Sequence, residues 1–190
     1  MLTLGVSIFD KNYMNVKIKN TVFAGLAAAL ICVLSVCQIP LPTGVPLTLQ
    51  TFAVAFCGYS LGLFQGSLAT LAYIGVGFVG LPVFSGFMGG AAVLLGPTGG
   101  FIIGFLPLCA LCALGCGKKM PVALSFGAVG LLICHFLGVL RYCFVMNCSA
   151  LTALLSVSLA YILKDAALEF FAYYLSRPVR KMVSGYLKTK

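Results

Sequence analysis

With 190 residues, 62% of them hydrophobic and only 8% charged, and a mean hydropathy of +1.14, the chain is excluded from the water-soluble class. Soluble domains carry roughly 25% charged residues, and one this small leaves too much surface exposed to hide so much apolar area. Lipid is the solvent that fits. Three acids (Asp10, Asp165, Glu169) face twelve Lys and Arg, but the cations cluster between or beyond apolar blocks. No basic stripe or recognition motif argues for nucleic acid; charge so placed marks the flanks of membrane helices.

Six apolar blocks approach the ~20 residues that a bilayer crossing requires. The first, about Asn20 to Ile39, follows Lys17 and Lys19 and ends at Pro40 and Pro42. No small-x-small cleavage site follows it, so it reads as a retained helix rather than a signal peptide. The second runs from about Pro46 to Phe64 and the third from Gly66 to about Gly80. Residues 81–98 are too rich in Gly and Pro for a lipid-facing helix, yet carry Phe84, Phe87, Met88, Leu94 and Leu95. Irregular backbone survives at membrane depth only where protein or a cavity covers it, so an ordered loop folded over or into the bundle is expected here. The fourth block spans about Gly99 to Gly117, the fifth about Pro121 to Val145, and the last about Ala150 to Leu175, bounded by Arg177-Pro178-Val179-Arg180-Lys181.

Charge placement sets the topology. With six spans and the N-terminus inside, the cytoplasmic segments hold Lys11, Lys17, Lys19, Lys118, Lys119, Arg177, Arg180, Lys181, Lys188 and Lys190. The outer segments, 40–45, 81–98 and about 146–149, hold no Lys or Arg. That asymmetry is a positive-inside signal. The expected architecture is therefore an all-α, polytopic membrane protein of six transmembrane helices, both termini cytoplasmic, with an ordered extracytoplasmic loop between helices 3 and 4. It divides into a cytoplasmic segment 1–19, a six-helix transmembrane bundle 20–176 and a basic tail 177–190.

Ionisable groups inside apolar blocks are costly and usually face a cavity or a partner. Lys164 and Asp165 are such a pair, with a helix-locking contact as the alternative reading. Arg141, near the outer end of the fifth span, is placed either to snorkel or to serve a site. The nine cysteines do not form a metal set: Cys109, Cys112 and Cys116 share a helical face, but in an apolar block with no paired His or second CxxC, where cysteine serves as a small apolar residue. His135 has no acid near it in sequence and reads as a helix-packing hydrogen bonder. Gly115-Cys116-Gly117-Lys118-Lys119 lacks the first Gly of a phosphate loop and the Ser or Thr after its Lys. Uphill transport would thus need energy from another subunit or an ion gradient.

Three stretches resemble the biotin-specific S component of energy-coupling factor transporters, the BioY type. They are Val45-Pro46-Leu47-Thr48-Leu49-Gln50-Thr51-Phe52; Ala72-Tyr73-Ile74-Gly75 through Gly80-Leu81-Pro82-Val83-Phe84-Ser85-Gly86; and Leu95-Gly96-Pro97-Thr98-Gly99-Gly100-Phe101. Order and spacing agree over about residues 20–175. The resemblance implies a six-helix bundle in a bacterial cytoplasmic membrane that is not an enzyme and takes no cofactor. It implies an outward biotin site closed by loops, and partnership with a transmembrane coupling protein and ATPase subunits. A small-residue face on the first helix would meet the coupling protein; Ala24, Ala28 and Gly25, Ala29 have that spacing, with packing inside the bundle as the alternative.

The family's last span carries an Asp followed three positions later by a Lys. Asp165 matches; the Lys position is Leu168, a departure. Lys164 points about 40° away from that position and lies roughly 6 Å nearer the outside, so it is the candidate replacement. Asp165 is expected to accept a ureido N–H and Tyr73 to hydrogen-bond and pack on the bicycle. Gly86 would present backbone groups from a closing loop, with Phe84 and Phe87 as apolar contacts. Lys164 or Arg141 would meet the valerate carboxylate, and Gln50 and Thr48 are further polar candidates. Two other classes compete: an S component for a different vitamin, and a small lipid enzyme built on His135 and Asp165. A channel is disfavoured, since no ring of like charges or filter motif appears.

Overall fold

Prolines and glycines break the helices at several points, although Pro107 and Pro178 are carried inside helices. The computed structural model describes the backbone of residues 2–42 and 45–188 and the side chains of 18–42, 45–159 and 161–186. The flanking charges Asp10, Lys11, Lys17, Lys188 and Lys190 lie outside the described side chains. Helix α1 runs from Leu2 to Val36, starting well before the apolar block because nothing in residues 2–19 breaks a helix. It stops ahead of Pro40 and Pro42, which cannot continue one.

Between the first two helices a two-residue antiparallel ladder pairs β1 (Gln38–Ile39) with β2 (Leu47–Thr48), with Gln38 opposite Thr48 and Ile39 opposite Leu47. The sequence reading had placed Leu47 and Thr48 at the head of a helix. Pro46 fixes extended backbone ahead of them, and helix α2 begins only at Gln50, ending at Leu61. Gly62, at φ +80°, breaks the chain in a conformation that suits only glycine, and α3 (Leu63–Phe78) turns straight back.

The loop that follows carries secondary structure of its own. It holds a single 3-10 turn at Ser85–Phe87 and a short helix α4 (Ala91–Leu95). Helices α5 (Gly99–Leu114) and α6 (Met120–Met146) form an antiparallel hairpin. The last apolar block is interrupted: α7 (Ala150–Ala153), capped by the Ser149 side chain, leads into a π-helical turn at Leu154–Leu159 and then into α8 (Ala160–Lys188). A π turn inserts an extra residue and re-aims the side chains beyond it, and such turns are frequent at functional sites.

The segments Ile18–Val36, Met120–Met146 and Ala150–Tyr186 are long and apolar enough to cross a membrane, while Leu63–Phe78 and Gly99–Leu114 are apolar but shorter. Large apolar side chains such as Leu26, Phe64, Phe136 and Leu163 point outward, as a lipid-solvated bundle requires. The core is built around α2 and α5, with α1, α3, α6 and α8 packed against them. Cys109 and Cys112 are fully buried there. Gly58 of α2 approaches so closely that a Cβ would stand 2.5 Å from the Cys109 carbonyl. These two cysteines pack as small apolar residues between helices.

A carboxylate cavity beneath the ordered loop

At the loop end of the bundle lies a cavity of about 740 Å³, counted out to its open mouth. Its walls come from the 45–51 segment, the 84–98 loop, α5, α6 and the π turn with the start of α8.

Apolar side chains, including Phe84, Phe101, Phe105 and Val157, make most of the lining. Phe84 is fully buried although it stands in the loop. Its ring sits edge-on to Tyr73, with centroids 5.5 Å apart, and over Gly77, one turn further along α3. A Cβ at Gly77 would lie 2.2 Å from the Phe84 ring, so glycine there is what admits it. The loop is closed by Phe84 N–H donating to Met88 O at 2.9 Å and Gly90 N–H donating to Gly77 O at 2.7 Å. Ser85 Oγ also donates to Gln38 Oε1 beside the β ladder.

The polar groups converge from two sides. Asp165, 6% exposed, has Oδ2 3.3 Å from His135 Nε2 and Oδ1 2.6 Å from Lys164 Nζ. The lysine contact joins sequence neighbours and pairs the Oδ1 charge with an ammonium. Lys164 Nζ also donates to Thr48 O at 3.1 Å, tying α8 to β2, and Tyr161 O–H donates to Val45 O on the same segment. His135 is held from behind: its Nδ1 lies 3.1 Å from Ser158 Oγ, in the π turn. With the ring proton on Nε2 facing Asp165, Nδ1 accepts from the serine hydroxyl. Opposite, Gln50 donates from Nε2 to Tyr73 Oη at 2.7 Å and accepts at Oε1 from Thr48 Oγ1 at 3.0 Å, which fixes the amide orientation.

Of the residues expected from sequence, Asp165, Lys164, Gln50, Thr48 and Phe84 line this cavity together. Tyr73 stands one layer behind, fully buried, supporting Gln50 and Phe84. Gly86 adopts φ +70° in the loop, against the Gln38 side chain. Phe87, 70% exposed, turns away from the cavity through a left-handed backbone at φ 58°. Arg141 lies outside the lining and donates to Leu95 O, anchoring the end of α4. Leu168 is outside the lining too, so Lys164 is the cation that reaches the cavity from α8. His135, Thr51, Ser85 and Tyr161 were not among the expected site residues. A lone histidine in an apolar block was the available signal; its acid stands thirty positions away in sequence and one helix away in space.

Serine, histidine and aspartate in line invite comparison with a hydrolase. Ser158 is buried and does not line the cavity, so its hydroxyl has no access to a substrate there. The constellation orients Asp165 rather than activating a nucleophile.

The fold is that of a helical membrane protein, with a cavity at its loop end lined by one carboxylate. The chain belongs to the BioY family, whose model matches residues 10–185. It is 40% identical over 136 residues to the biotin transporter BioY of Rhodobacter capsulatus, covering 68% of this chain and 72% of that protein. With the biotin transporter BioY of Thermotoga maritima it shares 45% over 126 residues, 65% of this chain and 72% of the relative. The crystal structure of the S-component for biotin from an ECF-type ABC transporter superposes with a TM-score of 0.80 at 28% identity, covering 88% of this chain and 93% of that one.

Proposed function

We propose that this chain is the biotin-capturing S component of an energy-coupling factor importer, and that the cavity beneath the loop is its biotin site. The observation that carries this reading is Asp165. It is a nearly buried carboxylate, held by Lys164 at one oxygen and His135 at the other, that lines a mostly apolar cavity. Biotin offers two ureido N–H donors, a ureido oxygen, an apolar bicycle containing sulfur, and a valerate carboxylate. Asp165 accepts a ureido N–H; Gln50, Thr51 and Ser85 supply polar contacts across the cavity; Phe84, Phe101 and Phe105 enclose the bicycle. Lys164 meets the valerate from the position one turn outward of Leu168. Tyr73 acts through Gln50 and Phe84, and Arg141 through the α4 anchor.

The same reading places six spans in the bilayer: α1, α2, α3, α5, α6 and the α7–α8 unit. Both termini are cytoplasmic and the 81–98 loop faces outward as the closing element. Segment 1–19 and the tail 177–190 flank the binding bundle 20–176 on the cytoplasmic side of a bacterial cytoplasmic membrane. Ala24 turns into the bundle and Ala28 is partly covered, whereas Gly25 and Ala29 are exposed and a Cβ at Gly25 would meet nothing within 4 Å. The Gly25/Ala29 edge is therefore the part of α1 offered to a transmembrane coupling protein, which with its ATPases supplies the energy this chain lacks.

Calorimetry on the purified protein in detergent tests the ligand. Saturable one-to-one binding of biotin, weaker binding of desthiobiotin and no response to thiamine are expected. A well-folded protein that gives no heat with biotin overturns the assignment.

A further inference from the structure

The bundle end opposite the carboxylate cavity holds a second cavity, again about 740 Å³ out to its mouth, and of opposite character. Tyr59 lies at its floor, and Tyr173 and Ser176 of α8 form one wall. Four cations converge on it: Lys118 from the α5–α6 turn, and Arg177, Arg180 and Lys181 from α8. Arg180 is partly buried, its guanidinium laid against Gly117; a Cβ there would stand 2.0 Å from Nη2. Gly117 also adopts φ +78°, so the turn is shaped to seat this side chain.

No described carboxylate neutralises the group. Asp165 is engaged at the other cavity, and Glu169 is held by Tyr59 O–H at 2.8 Å. The hydroxyls on the wall are used up as well: Tyr173 donates to Lys118 O and Ser176 to Tyr173 O. What remains is a concave site whose free donors are all cationic. Membrane topology accounts for cations at this end of the bundle. It does not account for their convergence on one lined cavity, nor for a glycine turn that seats an arginine within it.

We propose that this cavity binds a phosphate group, held by the guanidinium forks of Arg177 and Arg180 with Lys118 and Lys181 at the rim. Guanidinium matches phosphate geometry bidentately, and basic pockets between membrane helices take anionic head groups. The group comes either from an anionic phospholipid or from a soluble phosphate ester. The site stands independently of what the other cavity captures.

Native mass spectrometry of the full chain, released from mixed phosphatidylglycerol and phosphatidylcholine micelles, tests the lipid source. Thermal unfolding with added inorganic phosphate, in phosphatidylcholine alone, tests the soluble one. The Arg177→Gln/Arg180→Gln variant is compared with Lys119→Gln, which removes a neighbouring exposed charge outside the lining. Retention of phosphatidylglycerol by the parent and by Lys119→Gln, lost about tenfold or more in the double variant, supports the site with a lipid occupant. Stabilisation by inorganic phosphate that disappears only in the double variant supports a soluble one. Equal behaviour of the double variant and Lys119→Gln with both probes overturns the proposal. Should the double variant not fold, Lys181→Gln, exposed at the rim, carries the same comparison with a loss of about threefold expected.

Discussion

Asp165 and Glu169 stand one turn apart on the same face of α8, yet their surroundings differ in kind. Asp165 opens on a cavity, its oxygens paired with Lys164 and His135. Glu169, 4% exposed, is closed in: Tyr59 Oη lies 2.8 Å from its Oε1 and 3.1 Å from Ala123 O. A Cβ on Gly127 would come within 1.9 Å of the same oxygen. Two acids in lipid-facing helices are equally costly on their own. What separates a ligand site from a helix lock here is access: Asp165 lines a cavity and Glu169 does not.

The contrast is sharpest in Asp165→Ala. Losing one partner of a buried hydrogen bond costs about 1–3 kcal/mol, so biotin affinity should fall about 5- to 150-fold, measured by calorimetry on protein of unchanged helical content. Unchanged affinity would remove Asp165 from the site and erase the difference between the two acids.

Next in size is Gly77→Ala. The added methyl meets the Phe84 ring at 2.2 Å, and overpacking of a filled site costs about 1–3 kcal/mol. Because Phe84 is a wall of the cavity, biotin affinity should drop by roughly tenfold. Gly75→Ala, two residues earlier and with nothing within 4 Å of the new atom, should leave binding as it is. Equal effects from the two would mean that the loop is not pinned through Phe84.

Much of this was legible in the chain. Apolar blocks and their charged flanks announce membrane helices because lipid demands continuous hydrophobicity, and the loop announced itself by placing Phe84 among glycines and prolines. Asp165, Lys164 and Gln50 stood out as polar groups in apolar stretches. Three features had no such signal. The ladder of β1 with β2 depends on pairing between residues eight to ten positions apart. The π turn at Leu154–Leu159 reads in sequence as ordinary helix and depends on tertiary context, here Ser158 reaching His135. The divergence of Phe84 and Phe87, similar residues three apart, rests on a left-handed backbone at Phe87 that no side-chain pattern encodes. His135 and Asp165 meet across two helices, a contact that spacing within one helix cannot disclose.

The smallest expected effect tests the closed side of the comparison. Tyr59→Phe keeps the ring and its edge contact with Tyr173, centroids 5.4 Å apart, and removes only the hydroxyl. Glu169 Oε1 then loses its described partner in a space too tight for a replacement. Interhelical hydrogen bonds in membranes contribute about 0.6–1.7 kcal/mol, so the thermal midpoint should fall by about 2–6 °C with biotin affinity unchanged within about twofold. Adding Glu169→Met should restore much of the loss, because replacing both partners of a buried hydrogen bond by apolar groups of similar shape is nearly neutral. If Tyr59→Phe instead weakened biotin binding as much as it lowered the midpoint, the two acids would act as one coupled unit along α8, and the division between site and lock would fail.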